Sequence, residues 1–401
     1  MAPKGWKLNE LKSLCSKISV GLAISVTPYI RPDGVKLIRN QNIKRNYFND
    51  KSVVYIDPEF AKANKSKKVI AGDVVAVRTG SNIGEACVVP ESFNGALTFT
   101  TLIARPDPEL LDSQYLSTHM NSGHGIAEVG RLCAGGGKPN LNSGELKRYR
   151  LLTPPLSEQK KIAKILSSWD KAITTTEQLL SNSQQQKKAL MQQLLTGKKR
   201  LLDKNGNGFH GKWKVSEIGE LLRESRIPSK TNRPSKRLTV RLNLKGVVPR
   251  ECRGTEAVDS TAHFIRKAGQ FIYGKQNIHK GAFGIIPTTL DGFETSQDLP
   301  AFDFTRACDS TWFLHHMSQE NFHASLEDKM SGTGSKRLNP KTLLKIKIMC
   351  PPIEEQIKIS AVLSMADQEI SVLQKNLTSL KKEKKALMQQ LLTGKRRTNV
   401  E

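Results

Sequence analysis

The sequence predicts a mixed α/β protein in which one module is used twice. Two globular domains are each followed by a long helix, and the two helices run antiparallel with a pseudo-two-fold relation. Three observations predict this. The segment KKALMQQLLTGK stands at 187–198 and again at 384–395, an offset of 197 residues. The surrounding stretches, 154–200 and 351–397, align without a gap and agree at about half their positions. Both carry apolar residues at alternating steps of three and four, the spacing of a helix packed along a seam.

The repeat continues upstream at the same offset. Ala71 and Gly72 meet Ala268 and Gly269, and Arg78 meets Lys275. Asp112 and Ser113 meet Asp309 and Ser310, and Leu141 and Asn142 meet Leu338 and Asn339. Trp6 and Lys7 meet Trp213 and Lys214 at an offset of 207, so the first portions differ by ten residues. The expected divisions are a domain at 1–153, a helical spacer at 154–200, a domain at 201–350 and a spacer at 351–401. The helices stay alike while the globular parts diverge. Helix surfaces ordinarily drift faster than cores, so this pattern fits helices that share one partner and domains that read different things.

The first seam runs Ile162, Leu166, Trp169, Ile173, Thr176, Leu180, Ser183, Lys187, Leu190, Leu194. The second runs Ile359, Leu363, Ala366, Ile370, Leu373, Leu377, Leu380, Lys384, Leu387, Leu391. Thr176 and Ser183 weaken the middle of the first. Lys187 and Lys384 share one seam register, which leaves two roles open: setting the pairing register or contacting a partner subunit. Pro154–Pro155 and Pro351–Pro352 precede the helices, as proline permits. Ser157 is the expected N-cap. Gly197 and Gly394 are expected to end the helices in the left-handed conformation. From Ile162 to Leu194 the seam spans about 50 Å at 1.5 Å per residue. The second domain begins where the first helix ends and leads into the start of the second helix, which makes the pair antiparallel. Pairing within one chain is favoured over pairing between chains, because both repeats lie on one chain.

The formal net charge is +26. It divides as +8 over 1–153, +6 over 154–202, +9 over 203–350 and +3 over 351–401. A basic excess spread through the body suits a long surface laid along a polyanion better than a tethered arm. Six cysteines are present, none in a Cys-x-x-Cys pair, so neither zinc nor a disulfide framework is expected. The start carries no apolar signal core, and no apolar run approaches the roughly 18–20 residues that span a bilayer. A cytoplasmic protein without membrane attachment is expected.

Val69–Val77 reads as apolar runs around a turn, and Phe271–Tyr273 occupies the equivalent place. Helical stretches are expected around Leu110–Met120 and Leu343–Lys347. The segments after the two strand-like runs are the expected readout loops: Arg78, Thr79, Ser81 and Asn82 in the first domain, and Lys275, Gln276, Asn277 and Lys280 in the second. Both mix cations with side chains suited to base edges. Gly-rich runs at 135–138 and 332–337 offer backbone amides and the cations Lys138, Lys336 and Arg337 to phosphate, with Asn140 beside the first. Neither fits G-x-x-x-x-G-K-[ST], so an ATP loop is rejected. Thr153–Leu156 and Cys350–Ile353 lack the polar residue and ring of an amino-methyltransferase motif. Pro106–Asp107 with Glu145-x-Lys147 echoes a nuclease pattern only faintly. The pair His315–His316 lacks ligand spacing, so no metal site is expected.

PPLSEQKKIAKIL and PPIEEQIKISAVL, each leading into a helix that ends KKALMQQLLTGK, resemble the two helical repeat regions of Type I restriction–modification specificity subunits. AGDVVAVRTGSNIG and KAGQFIYGKQNIHKGAFGIIP resemble the matching part of their target recognition domains. The resemblance covers essentially the whole chain. It implies a non-catalytic subunit that reads a split, asymmetric site on double-stranded DNA. It implies docking of two methyltransferase subunits that bring S-adenosylmethionine, and of restriction–translocase subunits that use ATP and Mg. Two other readings stay open: a related system whose cutting and methylation reside in one partner chain, and a stand-alone DNA-binding or coiled-coil scaffold protein.

Overall fold

The computed structural model describes residues 3–133, 139–203, 205–230, 234–251, 262–332 and 335–398. The fold divides into two compact units, Met1–Gln178 with Lys375–Glu401, and Leu179–Gln374.

In the first unit, β1 (Lys7–Glu10) lies near the chain start, followed by β2 (Cys15–Val20), β3 (Val74–Val77), β4 (Ala86–Val88) and β5 (Thr101–Pro106). Helix α1 (Ser113–Met120) and β6 (Arg150–Thr153) then lead into α2 (Leu156–Leu194). The main sheet has the order β2-β5-β3-β4, all antiparallel. β1 pairs with β6 in a separate two-stranded sheet. β3 reads VVAV and is buried along its whole length, as a β-branched central strand should be. Asp112 caps α1 by accepting from the Tyr115 amide. The Tyr115 hydroxyl donates to the Leu152 carbonyl at 2.7 Å. The core holds Leu102, Tyr115, Leu116 and Tyr149 together with Ile162 and Leu166 of α2.

The second unit repeats this plan. Its elements are β7 (Lys214–Glu217), β8 (Leu222–Ser225), β9 (Phe271–Tyr273), β10 (Phe283–Ile285), β11 (Ala301–Phe304), α3 (Ser310–Met317), β12 (Lys347–Cys350) and α4 (Ile353–Leu391). The main sheet runs β8-β11-β9-β10, the same order as in the first unit, and β7 pairs with β12. Asp309 caps α3 through the Trp312 amide, as Asp112 caps α1. Trp312, Phe271, Phe302 and Phe313 fill a more aromatic core, with Ile359 and Leu363 of α4 packed on it.

Three local expectations change. Ser157 does not cap α2. The helix begins at Leu156, because the Pro155 carbonyl already accepts from the Gln159 amide. The second-domain helix expected over 343–347 is Pro340–Leu344, and Lys347 instead begins β12. Proline at its first position fixes the helical φ, while the two-stranded sheet claims the residues after it. The seam is also uneven. Ile162, Leu166 and Leu194 are buried in α2, but Ile173, Thr176 and Leu180 are only half-buried. Two helices alone cannot enclose their seam, and globular cores cover only its ends.

Two histidines lie inside these cores. His119 has its Nδ1 2.8 Å from the Tyr149 hydroxyl, and His316 packs beside Trp312 and Phe322. Burial lowers each from the ordinary value of 6.5 to about 4, with nearby His124 adding to the effect on His119. The folded state therefore binds fewer protons than the unfolded chain between those values. Stability is full above pH 6.5 and falls as pH drops toward 4, by on the order of 3 kcal/mol for each histidine. The urea midpoint is expected to fall over that window, and a His119→Gln, His316→Gln variant is expected to lose most of the slope. An equal slope in the variant would assign acid sensitivity elsewhere.

Candidate nucleic-acid interface

The loop after β3 leaves the buried sheet at Arg78 and turns at Gly80, whose φ of +94° suits glycine alone. The Arg78 carbonyl accepts from the Leu141 amide at 3.0 Å, and Thr79 bridges Asn140. The Arg78 guanidinium donates through Nε to Asn140 Oδ1 at 3.1 Å. Arg78 and Asn140, distant in sequence, thus stand together. Thr79, Ser81, Asn82 and Asn140 are exposed. Ser81 and Asn82 edge a pocket of about 350 Å³ that also takes in Arg45 and Asn121. Arg45 pairs with Glu85 at 3.0 Å. Lys138 lies outside the described residues with the rest of the first Gly-rich run, 135–138, and so do Thr333–Gly334 of the second.

The equivalent loop of the second unit is anchored in the same way. The Lys275 carbonyl accepts from the Leu338 amide at 2.9 Å, the counterpart of the Arg78–Leu141 bond. The Lys275 amide donates to the Asp298 carbonyl, and Arg337 pairs with the Asp298 carboxylate at 3.1 Å. Lys275, Lys336 and Arg337 are therefore gathered near one strand end. Gln276, Lys280, Lys336 and Arg337 are exposed, while Lys275 and Asn277 are half-buried. Lys280 closes a short 3-10 turn, and its carbonyl accepts from the Asn243 amide. Asn243 and Leu244 have φ of +59° and +58°, a strained pair that the sequence reading passed over. The Leu-Lys-Gly turn that follows was the available signal.

The faint nuclease echo has a structural explanation. Asp107 accepts from the Glu109 amide, and Glu145 forms a capping box with Asn142 at the start of a short helix. His315 and His316 are buried against the core. Among the described residues, no group of three or more His, Cys, Asp or Glu is placed to hold a metal ion, and no helix is long and apolar enough to cross a membrane.

The strongest polar feature is one that motif reading missed. Glu158, from the Pro-Pro-x-x-Glu-Gln start of α2, is buried at 2% side-chain exposure. It accepts from the Trp6 indole at 3.1 Å and from Arg397 at 2.8 and 2.9 Å. Glu355 does the same in the second unit, accepting from Trp213 at 3.0 Å and from Arg200 at 2.6 and 2.7 Å. Each arginine also lies 5.8 Å from the tryptophan ring centroid. Burial alone would push the Glu158 carboxyl up, but Arg397, the Thr398 amide and Trp6 together hold it below the ordinary carboxylate value. The neighbouring glutamine pins the globular part. Gln159 accepts from the Asp112 amide and donates to Leu110 and Pro154, while Gln356 accepts from Asp309 and donates to Ala307 and Pro351. Gly197 and Gly394, at φ +71° and +68°, turn the chain so that each arginine reaches its glutamate.

The seam lysines find acids. Lys187 pairs with Asp367 in the second unit, and Lys384 with Asp170 in the first. Lys381 pairs with Glu177 at 2.7 Å. Ser183, an apparent weak point of the seam, donates to Glu369 at 2.9 Å. Within each unit, partners rise along one helix as they fall along the other, so the helix segments are antiparallel there.

A duplicated chain emerges, alike in sheet order, caps and clamps, and different in its exposed loops. The sequence matches the family described as Type I restriction modification DNA specificity domain over residues 3–182 and again over 211–382. The chain belongs to this family. It is similar to two curated proteins of Methanocaldococcus jannaschii. A putative type I restriction enzyme MjaX specificity subunit is 23% identical, over 98% of this chain and 94% of its own length. The type I restriction enzyme MjaVIII specificity subunit is 24% identical, over 85% of this chain and 83% of its own. Among solved structures, a type I restriction–modification S subunit from M. genitalium shares the fold with a TM-score of 0.61 at 14% identity, over 98% of this chain and 99% of that one. A chain from a structural study of complex assembly in a type I R-M system gives 0.55 at 16% identity, over 99% and 100%.

Proposed function

We propose that the chain is the non-catalytic specificity subunit of a type I restriction–modification enzyme, with each unit reading one half of a split, asymmetric site on double-stranded DNA. The observation that carries this reading is the pairing of conserved scaffold with divergent loops. The bond from Arg78 to Leu141 and that from Lys275 to Leu338 are equivalent. The loops they anchor read RTGSN in one unit and KQNIHK in the other. A protein that presents two different side-chain sets on one repeated frame reads two different targets. Arg78, Thr79, Ser81, Asn82, Lys138 and Asn140 face one half-site, and Lys275, Gln276, Asn277, Lys280, Lys336 and Arg337 the other. Arginine reads guanine edges and asparagine or glutamine reads adenine.

The two long helices form an antiparallel coiled-coil spacer of about 50 Å, which sets half-site centres on the order of 10–15 base pairs apart at 3.4 Å per pair. Two modest readers on a stiff spacer multiply their selectivity. Two methyltransferase subunits dock on this frame, bring S-adenosylmethionine and flip the target adenine. Restriction–translocase subunits add ATP- and Mg-dependent cutting. The chain works in the cytoplasm.

The test maps methylated adenines across the host genome with and without this gene. Loss of one split, asymmetric motif is expected on deletion. An unchanged map would favour a stand-alone DNA-binding scaffold. Arg78→Ala with Asn82→Ala is expected to relax only one half of the motif, and Lys275→Ala with Gln276→Ala only the other, each by about 1–3 kcal/mol of discrimination per base pair lost. Relaxation of both halves by one pair would refute the division of labour.

A further inference from the structure

We propose that a short hairpin beside each readout loop is a second DNA-reading element. Each enters the major groove and sets one apolar side chain, Tyr47 in the first unit and Leu244 in the second, against the methyl group of a thymine. This rests on the functional reading above and names a base for each half-site.

The two hairpins occupy equivalent places. Ile43–Lys44 pairs with Tyr47–Phe48 around Arg45 and Asn46. Leu238–Val240 pairs with Val247–Pro249, and the Arg241 amide extends the ladder outward to the Gly246 carbonyl. At the 197-residue offset Asn46 meets Asn243, and both are left-handed, at φ +56° and +59°. Gly84 and Gly281, at the ends of the neighbouring readout loops, meet at the same offset and are left-handed too. Around the shared asparagine the tips read IKRNYF and VRLNLK.

Each hairpin is fastened beside its readout loop. The Asn46 amide donates to the Ala86 carbonyl at 3.0 Å. The Asn46 side-chain oxygen accepts from Ser117 at 3.1 Å and from Asn121 at 2.7 Å. The Asn243 and Leu244 amides donate to the carbonyls of Lys280 and Gly281 at 2.9 and 3.0 Å. Leu244 lies so close that a Cβ on Gly281 would stand 3.0 Å from its Cδ2. Arg45 shares a pocket with Ser81 and Asn82, and Leu242 and Leu244 share a groove with Lys280. In each unit, hairpin and loop therefore present one surface.

The tips are not built for stability alone. The Lys245 amide donates to the Leu242 carbonyl at 3.3 Å, with Asn243 and Leu244 left-handed between them. Glycine ordinarily follows asparagine in such a turn. A leucine held there is strained, because its Cβ crowds the backbone. Leu244 is nevertheless 44% exposed, and Tyr47, one residue after the equivalent asparagine, is 51% exposed. Apolar surface left in water contributes nothing to folding, so strain combined with exposure marks a contact made outside the chain. Exposed Lys44 and Arg45 flank Tyr47, and exposed Arg241 and Lys245 flank Leu244. An apolar point between cations, beside a loop of base-reading side chains, fits a polyanion with an apolar group in its groove. The major groove admits a two-stranded ribbon, and the thymine methyl is the apolar group that its base edges offer.

The test uses the full chain with its methyltransferase subunit, and duplexes carrying the site that the methylation map reveals. Each thymine is replaced in turn by deoxyuridine, which removes only the methyl. For the wild type, one replacement in each half-site is expected to weaken binding about fourfold, the worth of one buried methyl group. Tyr47→Ala is expected to abolish that sensitivity in one half-site, and Leu244→Ala in the other, each leaving the remaining half unchanged. Leu244→Gly is expected to keep the urea midpoint, since glycine relieves the left-handed strain as it gives up the contact over Gly281. It is expected to lose the thymine sensitivity as fully as alanine does. Wild-type binding that prefers the mapped site yet ignores every deoxyuridine would overturn the proposal and leave the functional reading intact. So would methyl sensitivity that persists in both alanine variants. Leu244→Ala complexes that keep full thymine sensitivity but lose the methyltransferase subunit would assign the tip to a protein contact instead. A wild-type complex that binds mapped and unrelated duplexes alike would overturn both readings.

Discussion

Removing seven residues from the middle of each long helix, 175–181 and 372–378, is expected to shorten the unread spacer of the methylated motif by about three base pairs while both half-sites stay the same. Seven residues span about 10.5 Å of helix, and a base pair occupies 3.4 Å. The cut preserves the seam register, because a heptad returns each apolar position to its place. It also spares the polar locks. Asp170 with Lys384 and Glu158 with Arg397 lie on one side of the deletion, and Lys187 with Asp367 and Arg200 with Glu355 on the other. The cut removes the ion pair of Glu177 with Lys381, an exposed pair worth little. Methylated-adenine mapping of a strain carrying the shortened chain reads the outcome. A motif with altered half-sites would show that recognition depends on the helices themselves. An unchanged spacer would show that the helices do not set the distance.

The second large effect is expected at the clamps. Glu158→Ala removes the acceptor of the Trp6 indole and the partner of Arg397, and Glu355→Ala does the same to Trp213 and Arg200. Hydrogen bonds to a charged group contribute about 1.5–3 kcal/mol each, and breaking a buried pair is worse than never making it. The arginines are partly exposed, at 44% and 26% of their side chains, so water recovers some of the loss. About 2–4 kcal/mol per site is expected on that basis. Glu158→Gln keeps an acceptor for Trp6 and should fall between Ala and the wild type. Urea unfolding of the three variants decides. Equal stability of Glu158→Ala and the wild type would reduce the clamp to an ornament of the helix end. Glutamine as poor as alanine would assign the whole effect to charge.

These two expectations separate what the chain writes locally from what it achieves by folding. The duplication, the two long helices and the glycine turns that end them were legible in the sequence, because each rests on a local rule. Proline cannot sit deep inside a helix, glycine alone takes a left-handed turn at no cost, and the three-four spacing puts apolar residues on one face. The two strands that precede the loops proposed for readout were legible too, since Val74–Val77 and Phe271–Tyr273 are short apolar runs that end in polar residues, and both are buried strands.

Other features were set at a distance. Glu158 and Glu355 look like ordinary N-terminal helix acids, and nothing nearby announces that each holds a tryptophan and an arginine 152 and 239, or 142 and 155, residues away. Ser183 reads as a fault in the seam and becomes a donor to Glu369 only once the facing helix is in register. The gathering of Arg78 with Asn140, and of Lys275 with Arg337 around Asp298, depends on the strand-to-loop bonds that bring separate segments together. By itself the sequence determined the repeat, the helices and the residue types offered to a polyanion, because composition and short-range periodicity carry them. Only the tertiary structure decided which of those residues are spent on ion pairs and which stand exposed, because burial and long-range partners exist only in the packed chain.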